Sequence, residues 1–379
     1  MDIGSVFIYL FVFFCSIALS RCASSAKRHR KKSSERILLF FSMLLPCILA
    51  GMRDISVGID VQNYVVSNFK VAQSSGIDFT KFLDVMPKDV EMLFALLIYV
   101  CAKLGTISLL LFAIQFLISI PIYKVLYEKN SVGYALPLSI YYFLFFNLEL
   151  SAMRQGIASS FLLLAYVRYR NKRYSSGVIL AVCACLFHIS AIIALSIFLV
   201  FLLISKARHP WRIYLFCVVL ICGFCIALPK LSPYISSLVG LISGRYAYYV
   251  RTYLNGAFNS SNLYTVDLIC KTALLLVAFF WTKIKRKTFI KYVEYDWLLA
   301  IVLMGRFWAL FNGYFYESMR MAIYFDLFLI LYAQEAYGNL HKTENRCLAG
   351  ITMFVPVMLY WFIFIMLIGA YGTNVYSVI

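Results

Sequence analysis

Long apolar runs alternate with short polar segments along nearly the whole chain. Runs such as residues 107–123 and 348–368 hold almost no charge, and the segments between them are rich in lysine and arginine. A helix needs about 20 apolar residues to cross a bilayer. The pattern predicts an all-α polytopic integral membrane protein, with a single membrane domain over residues 1–379.

The composition supports this prediction and excludes a soluble enzyme. Of the 379 residues, 63% are hydrophobic and 14% are charged, and the mean hydropathy is +0.84. Soluble domains carry about 25% charged residues. A chain of this length cannot bury so much apolar surface within itself, so membrane lipids must cover part of it.

The distribution of the formal net charge of +18 along the chain indicates the membrane topology. Of the 35 lysines and arginines, 23 lie in six short clusters between apolar runs: residues 21–36, 124–129, 168–173, 206–212, 283–291 and 342–346. Basic clusters of this kind mark cytoplasmic segments. The charge therefore argues against a nucleic-acid partner.

Placing these clusters in the cytoplasm predicts about twelve crossings, with both termini and two large loops, residues 53–90 and 229–264, on the outer face. Residues 1–20 are predicted to be an uncleaved first span. Residues 91–104 are too short to fit the alternation and are predicted to be re-entrant. Residues 177–204 have basic clusters at both ends, which predicts a helical hairpin with His188 near its bend.

Four arginines lie at the predicted outer ends of different segments, the face that usually lacks them. They are Arg53, Arg154, Arg245 and Arg320. The guanidinium group offers a rigid fork of donors that suits phosphate oxygens. One interpretation is a pyrophosphate clamp; the alternative is that each side chain reaches the lipid headgroups separately.

His188 is the strongest candidate for a proton acceptor, because imidazole titrates near neutral pH. Packing between helices is the alternative. Asp60 is a second candidate base, and Lys271 and Arg306 lie within predicted spans, where we expect them to form structural ion pairs. The chain has no phosphate-binding glycine loop, no HExxH motif and no carboxylate cluster with metal-ligand spacing. We therefore expect neither a metal nor another cofactor.

Four segments, in order along the chain, together resemble one known family. They read R53-D-I-S-V-G58-I-D60-V-Q-N-Y64, F146-N147 followed by R154-Q155-G-I-A158, F187-H188-I-S190-A191, and R320-M-A-I-Y324-F325. The set is similar to bacterial polysaccharide polymerases of the Wzy type, specifically the EpsG-like branch. Ser56, Ile59 and Val61 depart from that family's first motif.

The resemblance implies a GT-C-like fold and a metal-independent glycosyltransferase acting at the periplasmic face of the bacterial inner membrane. Such enzymes move a growing glycan from undecaprenyl diphosphate to the next lipid-linked repeat unit. A flippase and a chain-length regulator of the same pathway are implied partners. The implied catalytic residues are His188, Arg154 and Asp60. The implied substrate-binding residues are Arg53, Tyr64, Gln155, Arg245, Tyr249, Arg320 and Tyr324.

Other functional classes fit the sequence less well. A lipid-linked oligosaccharide flippase or another transporter should carry polar residues at several depths of a path, whereas here they gather at one face. An O-antigen ligase uses the same donor but has different motifs. A membrane-embedded acyltransferase should show a histidine motif that this chain lacks.

Overall fold

The structure is a computed structural model that describes residues 2–74, 78–87, 90–129, 133–198, 234, 237, 263–283, 293–310, 317–338, 340 and 343–378. These residues form helices joined by short turns, and their only bridge of the strand type is a single pair, Arg53 with Val378. The predicted all-α class is therefore confirmed for the described residues.

The described residues up to Phe198 form eleven α-helices. They are α1 Ile3–Arg28, α2 Lys32–Met52, α3 Val66–Gln73, α4 Phe79–Val85, α5 Met92–Leu104, α6 Ile107–Glu128, α7 Ala135–Tyr141, α8 Asn147–Ser151, α9 Met153–Arg170, α10 Tyr174–Phe187 and α11 Ala191–Ala194. The described later residues add α12 Leu263–Lys283, α13 Val293–Leu310, α14 Glu317–Asp326, α15 Leu329–Gly338 and α16 Thr343–Tyr360. Wider π-helical turns precede α3 and link α7 to α8, and another follows α16.

Within the described ranges, five helices are long and apolar enough to cross a membrane, and they belong to α1, α2, α6, α12 and α16 with its continuation. Large apolar side chains project outward from them, including Phe7, Phe11, Leu276 and Phe280, which are 58–71% exposed. Such a surface is typical of a protein that lies in lipid. The number of twelve crossings stays a prediction, because most of residues 199–262 lies outside the described part.

Two predictions about segments near the outer face change in detail. The predicted outer loop 53–90 contains the short helices α3 and α4, and its position on the outer face stays a prediction. Short polar sequence between spans signals a connection, and the amphipathic helices within it are too brief to stand out. Residues 91–104 form the 13-residue helix α5, which at about 1.5 Å per residue is too short to cross the bilayer. The second predicted loop, 229–264, falls almost wholly outside the described residues.

Three of the six basic clusters, all within the described residues, meet at one end of the helix bundle. Arg168 pairs with Glu128 at 2.5 Å, and Lys129 pairs with Glu335 at 2.9 Å. The Nε atom of Arg36 lies 3.3 Å from the hydroxyl of Tyr127. These contacts bring clusters 21–36, 124–129 and 168–173 to a common end, as their shared topological role requires.

The two termini and the segment after α2 meet at the opposite end. The backbone N–H of Tyr376 donates to the hydroxyl of Ser5 at 2.6 Å. The N–H of Asp54 donates to the carbonyl of Ser377 at 2.7 Å, and the N–H of Gly58 donates to Gly372 at 2.9 Å. The C-terminal tail, residues 369–378, therefore lies along the segment 53–58.

Gly58 fixes the path of this segment. Its φ is +100°, and a Cβ atom there would lie 2.7 Å from the carbonyl oxygen of Leu150. Only glycine fits both the backbone conformation and the space. The segment is thereby held against α8, which directly precedes the helix that carries Arg154.

A charge-balanced cluster lies inside the bundle, between α12, α13 and α14. It contains two carboxylates and two cations, all at most 5% exposed: Asp267, Lys271, Arg306 and Asp326. The expected structural pairing of Lys271 and Arg306 is confirmed. Since buried charges are tolerated when they are paired, the cluster joins the three helices within the membrane.

Candidate active site

The site lies at the end of the bundle opposite the basic clusters, and Glu91 is at its centre. This residue caps the start of α5. Its Oε2 lies 2.8 Å from a guanidinium nitrogen of Arg154, and its Oε1 lies 2.6 Å from Nδ1 of His188. One carboxylate therefore holds the second and third sequence motifs together.

Local backbone geometry places both partners of Glu91. Arg154 is the second residue of α9. The helix α10 ends at Phe187, and His188 adopts an extended conformation with φ −158° and ψ 117°. The predicted break at His188 is thus confirmed. The N–H of Ile189, freed by this break, donates to Glu91 Oε1 at 3.0 Å.

The surroundings of Glu91 keep it ionised. Burial alone raises the pKa of the carboxyl group, but the hydrogen-bonded contact with His188 and the positive charge of Arg154 outweigh it, so the pKa falls to about 2. A carboxylate accepts but does not donate. His188 therefore donates from Nδ1 to Glu91, which leaves the Nε2 lone pair able to accept a proton.

Tyr64 joins the first motif to the second. The guanidinium carbon of Arg154 lies 4.8 Å from the centre of the Tyr64 ring, within the range of a cation–π contact. Burial raises the pKa of Tyr64 to about 12, although Arg154 lowers it. The phenol is therefore neutral. It is carried by a π-helical turn, Val61–Val65, a geometry that is frequent at functional sites.

Two further contacts connect the fourth motif to the first and third. Arg320 on α14 lies 3.7 Å from a carboxylate oxygen of Asp60. One turn further along α14, the hydroxyl of Tyr324 lies 2.8 Å from that of Ser190. All four motifs are consequently linked in a closed circuit, with Glu91 as the bridge between the second and third.

Other predicted site residues lie apart from this circuit. Arg53 is 1% exposed, and its guanidinium contacts the sulfur of Met153 at 3.6 Å. Among the described residues, its Nε and one terminal nitrogen have no hydrogen-bond partner. Gln155 is 4% exposed, and its side-chain oxygen also lacks a hydrogen-bond partner within the described ranges. Arg245 and Tyr249 are outside those ranges.

The sequence model of the EpsG family matches residues 36–378. The chain belongs to the EpsG family. The match contains all four motifs of the circuit and ends within the C-terminal tail. No curated protein and no solved structure matches the chain. Membership in the EpsG family supports a polysaccharide-polymerase type of function.

Glu91 is a site residue that the sequence alone does not indicate. In the sequence it is only the first residue of a short apolar segment, and a single acid before a helix is a common feature. One signal was present: Glu91 begins the segment that did not fit the alternation of crossings. An acid at a helix end held within the membrane protein needs a cationic partner, and two are provided 63 and 97 residues later.

Proposed function

We propose that this EpsG-family protein is a polysaccharide polymerase of the bacterial cytoplasmic membrane. It transfers a growing glycan from undecaprenyl diphosphate to a hydroxyl of the next lipid-linked repeat unit, at the outer face. The observation that supports the proposal is the bridge from His188 through Glu91 to Arg154, because it brings an imidazole close to a guanidinium group that suits phosphate.

The reaction exchanges one carbon–oxygen bond for another. The acceptor hydroxyl oxygen bonds to the anomeric carbon of the donor glycan, while the bond from that carbon to the diphosphate oxygen breaks. His188 takes the acceptor proton on Nε2, and undecaprenyl diphosphate leaves with the electron pair. The hydrogen bond from Nδ1 to Glu91 stabilises the imidazolium that forms.

Arg154 and Arg320 supply positive charge for the leaving group. Developing charge on a diphosphate is stabilised by donors that are already in position before the reaction. Glu91 and Asp60 hold the two guanidinium groups at 2.8 Å and 3.7 Å, which limits their motion in the absence of substrate. Arg53 remains a proposed diphosphate contact, and its partnerless buried nitrogens support an anion nearby.

The surface polysaccharide of a strain that lacks the gene tests this function. Loss of a polymerase should leave single repeat units on the cell surface, visible as one short band on a gel. Loss of a flippase would instead remove surface glycan altogether. Loss of a ligase would leave long polymer attached to its lipid carrier. Either of the last two patterns contradicts the proposal.

A further inference from the structure

A small cavity lies beside the contact between Asp60 and Arg320. Its volume is about 60 Å³, and its walls include Ile59, Ser151, Arg320, Ile323 and Tyr371. A cavity of about 10–15 Å³ is enough to hold one water molecule. The cavity therefore has room for a few polar atoms, which is the size of one edge of a sugar ring rather than of a whole disaccharide.

Tyr371 stands out in this wall because of its backbone. Its φ is +67°, in the left-handed region, and it stands between two glycines with positive φ, Gly369 and Gly372. A bulky residue is uncommon in this region and persists only where its surroundings hold it there. Glycine or asparagine would satisfy the backbone at lower cost, so the aromatic side chain itself calls for an explanation.

Two hydrogen bonds to the residues after Tyr371 and one ring contact hold the strained turn in place. The next residues are fixed by the N–H of Gly58, which donates to Gly372 at 2.9 Å, and by the hydroxyl of Tyr9, which donates to the carbonyl of Thr373 at 3.0 Å. The Tyr371 ring packs edge-on against Phe364, with centroids 5.7 Å apart. The C-terminal tail thus presents one aromatic ring to the cavity in a fixed place.

We propose that this cavity is a sugar subsite, in which Tyr371 forms the apolar wall and Arg320 and Ser151 contact the hydroxyl groups. The inference rests on the proposed polymerase function and adds a location for one sugar of the lipid-linked repeat unit. A sugar ring offers both C–H faces and hydroxyl groups, and a mostly apolar pocket with a few placed polar groups recognises both. Arg320 then serves two contacts, one with the sugar and one with the diphosphate.

Substitutions at Tyr371 test the subsite in purified protein supplied with the lipid-linked repeat unit. Tyr371→Asn removes the ring but tolerates positive φ, so the turn should survive. We expect its KM for the repeat unit to rise about tenfold, with kcat within about threefold of the parent value. Tyr371→Phe keeps the ring and should retain the parent KM. A purely structural role would lower the melting temperature of Tyr371→Asn and leave KM unchanged.

A second variant approaches the cavity from the opposite wall. Ile59 is 52% exposed, so Ile59→Trp should fold, fill the cavity and raise KM as well. Tyr174→Asn, at the other end of the bundle, is the matched loss of a tyrosine and should change nothing. Unchanged KM in both Tyr371→Asn and Ile59→Trp would overturn the subsite while the parent protein still makes polymer. Absence of polymer from the parent protein would instead overturn the proposed function.

Discussion

Two clusters of acidic and basic side chains in this molecule have different properties. The Glu91 cluster, which consists of Glu91, Arg154 and His188, lies at the helix ends, and its side chains are 11–13% exposed. The membrane cluster lies within α12, α13 and α14, and its four side chains are at most 5% exposed. Both hold helices together, but only the first connects the sequence motifs.

The positive and negative charges of the membrane cluster are equal in number. Its two carboxylates meet its two cations, and Lys271 also lies 5.5 Å and 5.3 Å from the ring centres of Phe145 and Tyr360. The Glu91 cluster has one acid between two basic groups, and it stands near the looser contact between Asp60 and Arg320. A buried cluster whose charges are balanced suits a structural role, whereas a partly exposed one that combines an imidazole with a guanidinium suits an anionic substrate.

Removing one acid from the membrane cluster should have the largest effect on stability. Asp326→Ala leaves two buried cations with one carboxylate, and breaking a buried ion pair costs about 3–5 kcal/mol. We expect the protein to accumulate poorly in membranes and to melt at a clearly lower temperature in detergent. Glu335→Ala, which removes a partly exposed partner of Lys129, is the control and should cost about 1 kcal/mol or less. Equal stability of the two variants would contradict the structural role of the membrane cluster.

The corresponding change in the Glu91 cluster should affect activity instead. Glu91→Gln keeps the shape but loses the charge that orients His188 and holds Arg154. We expect the protein to stay inserted in the membrane at a somewhat lower melting temperature, with polymer formation reduced about 100-fold or more. Quantitative blotting together with gel analysis of surface polysaccharide measures both effects. A Glu91→Gln variant that makes polymer of normal length would remove Glu91 from the mechanism.

The pH dependence of the melting temperature should distinguish the parent protein from Glu91→Gln, with a smaller effect than the loss of activity. Glu91 has a pKa of about 2 in the folded state, below its ordinary value of 4.5. The unfolded chain therefore binds this proton more readily, and the stabilisation is fully present above about pH 4.5 and lost as the pH falls towards 2. The difference in melting temperature between the parent and Glu91→Gln should be constant above about pH 5 and shrink below it. A difference that grows on acidification would contradict the ionised Glu91.

The smallest expected effect concerns the tail that borders the site. The hydroxyls of Ser56 and Ser377 lie 3.5 Å apart, so Ser56→Cys with Ser377→Cys should form a disulfide. Because the tail is a fixed wall in this account, the oxidised protein should keep normal polymer formation and melt a few degrees higher. Each single cysteine variant and the reduced double variant are the controls. Loss of activity only on oxidation would mean that the tail has to move during catalysis.

Much of the fold and the grouping of the motifs could be predicted from the sequence. Hydrophobic run length indicates helices, and the basic clusters require a break near His188. The circuit confirms that Arg154, His188 and Arg320 lie at one end of the bundle. These features follow from local composition and from alternation along the chain, both of which a single sequence displays.

Three features depend on long-range packing and could not be predicted. Glu91 belongs to the site only because α5 ends beside α9 and α10. Tyr371 belongs to it because the tail returns to residues 53–58. Arg53 is predicted to lie beside Arg154, yet it contacts Met153. Met153 and Arg154 are successive residues of one helix, and such residues point about 100° apart. The contacts of Tyr371 and Arg53 have no signature in local sequence, and the only signal for Glu91 is that it begins the segment that does not fit the alternation of crossings.

Polymer formation by purified protein with His188→Gln tests the central claim most directly. Glutamine keeps a polar side chain of similar reach but cannot accept the acceptor proton at neutral pH. Given the lipid-linked repeat unit, the parent protein should produce a ladder of long chains, and His188→Gln, folded to the same melting temperature, should leave single units. A ladder formed by His188→Gln at the parent rate would contradict the assignment of the Glu91 cluster as the catalytic centre.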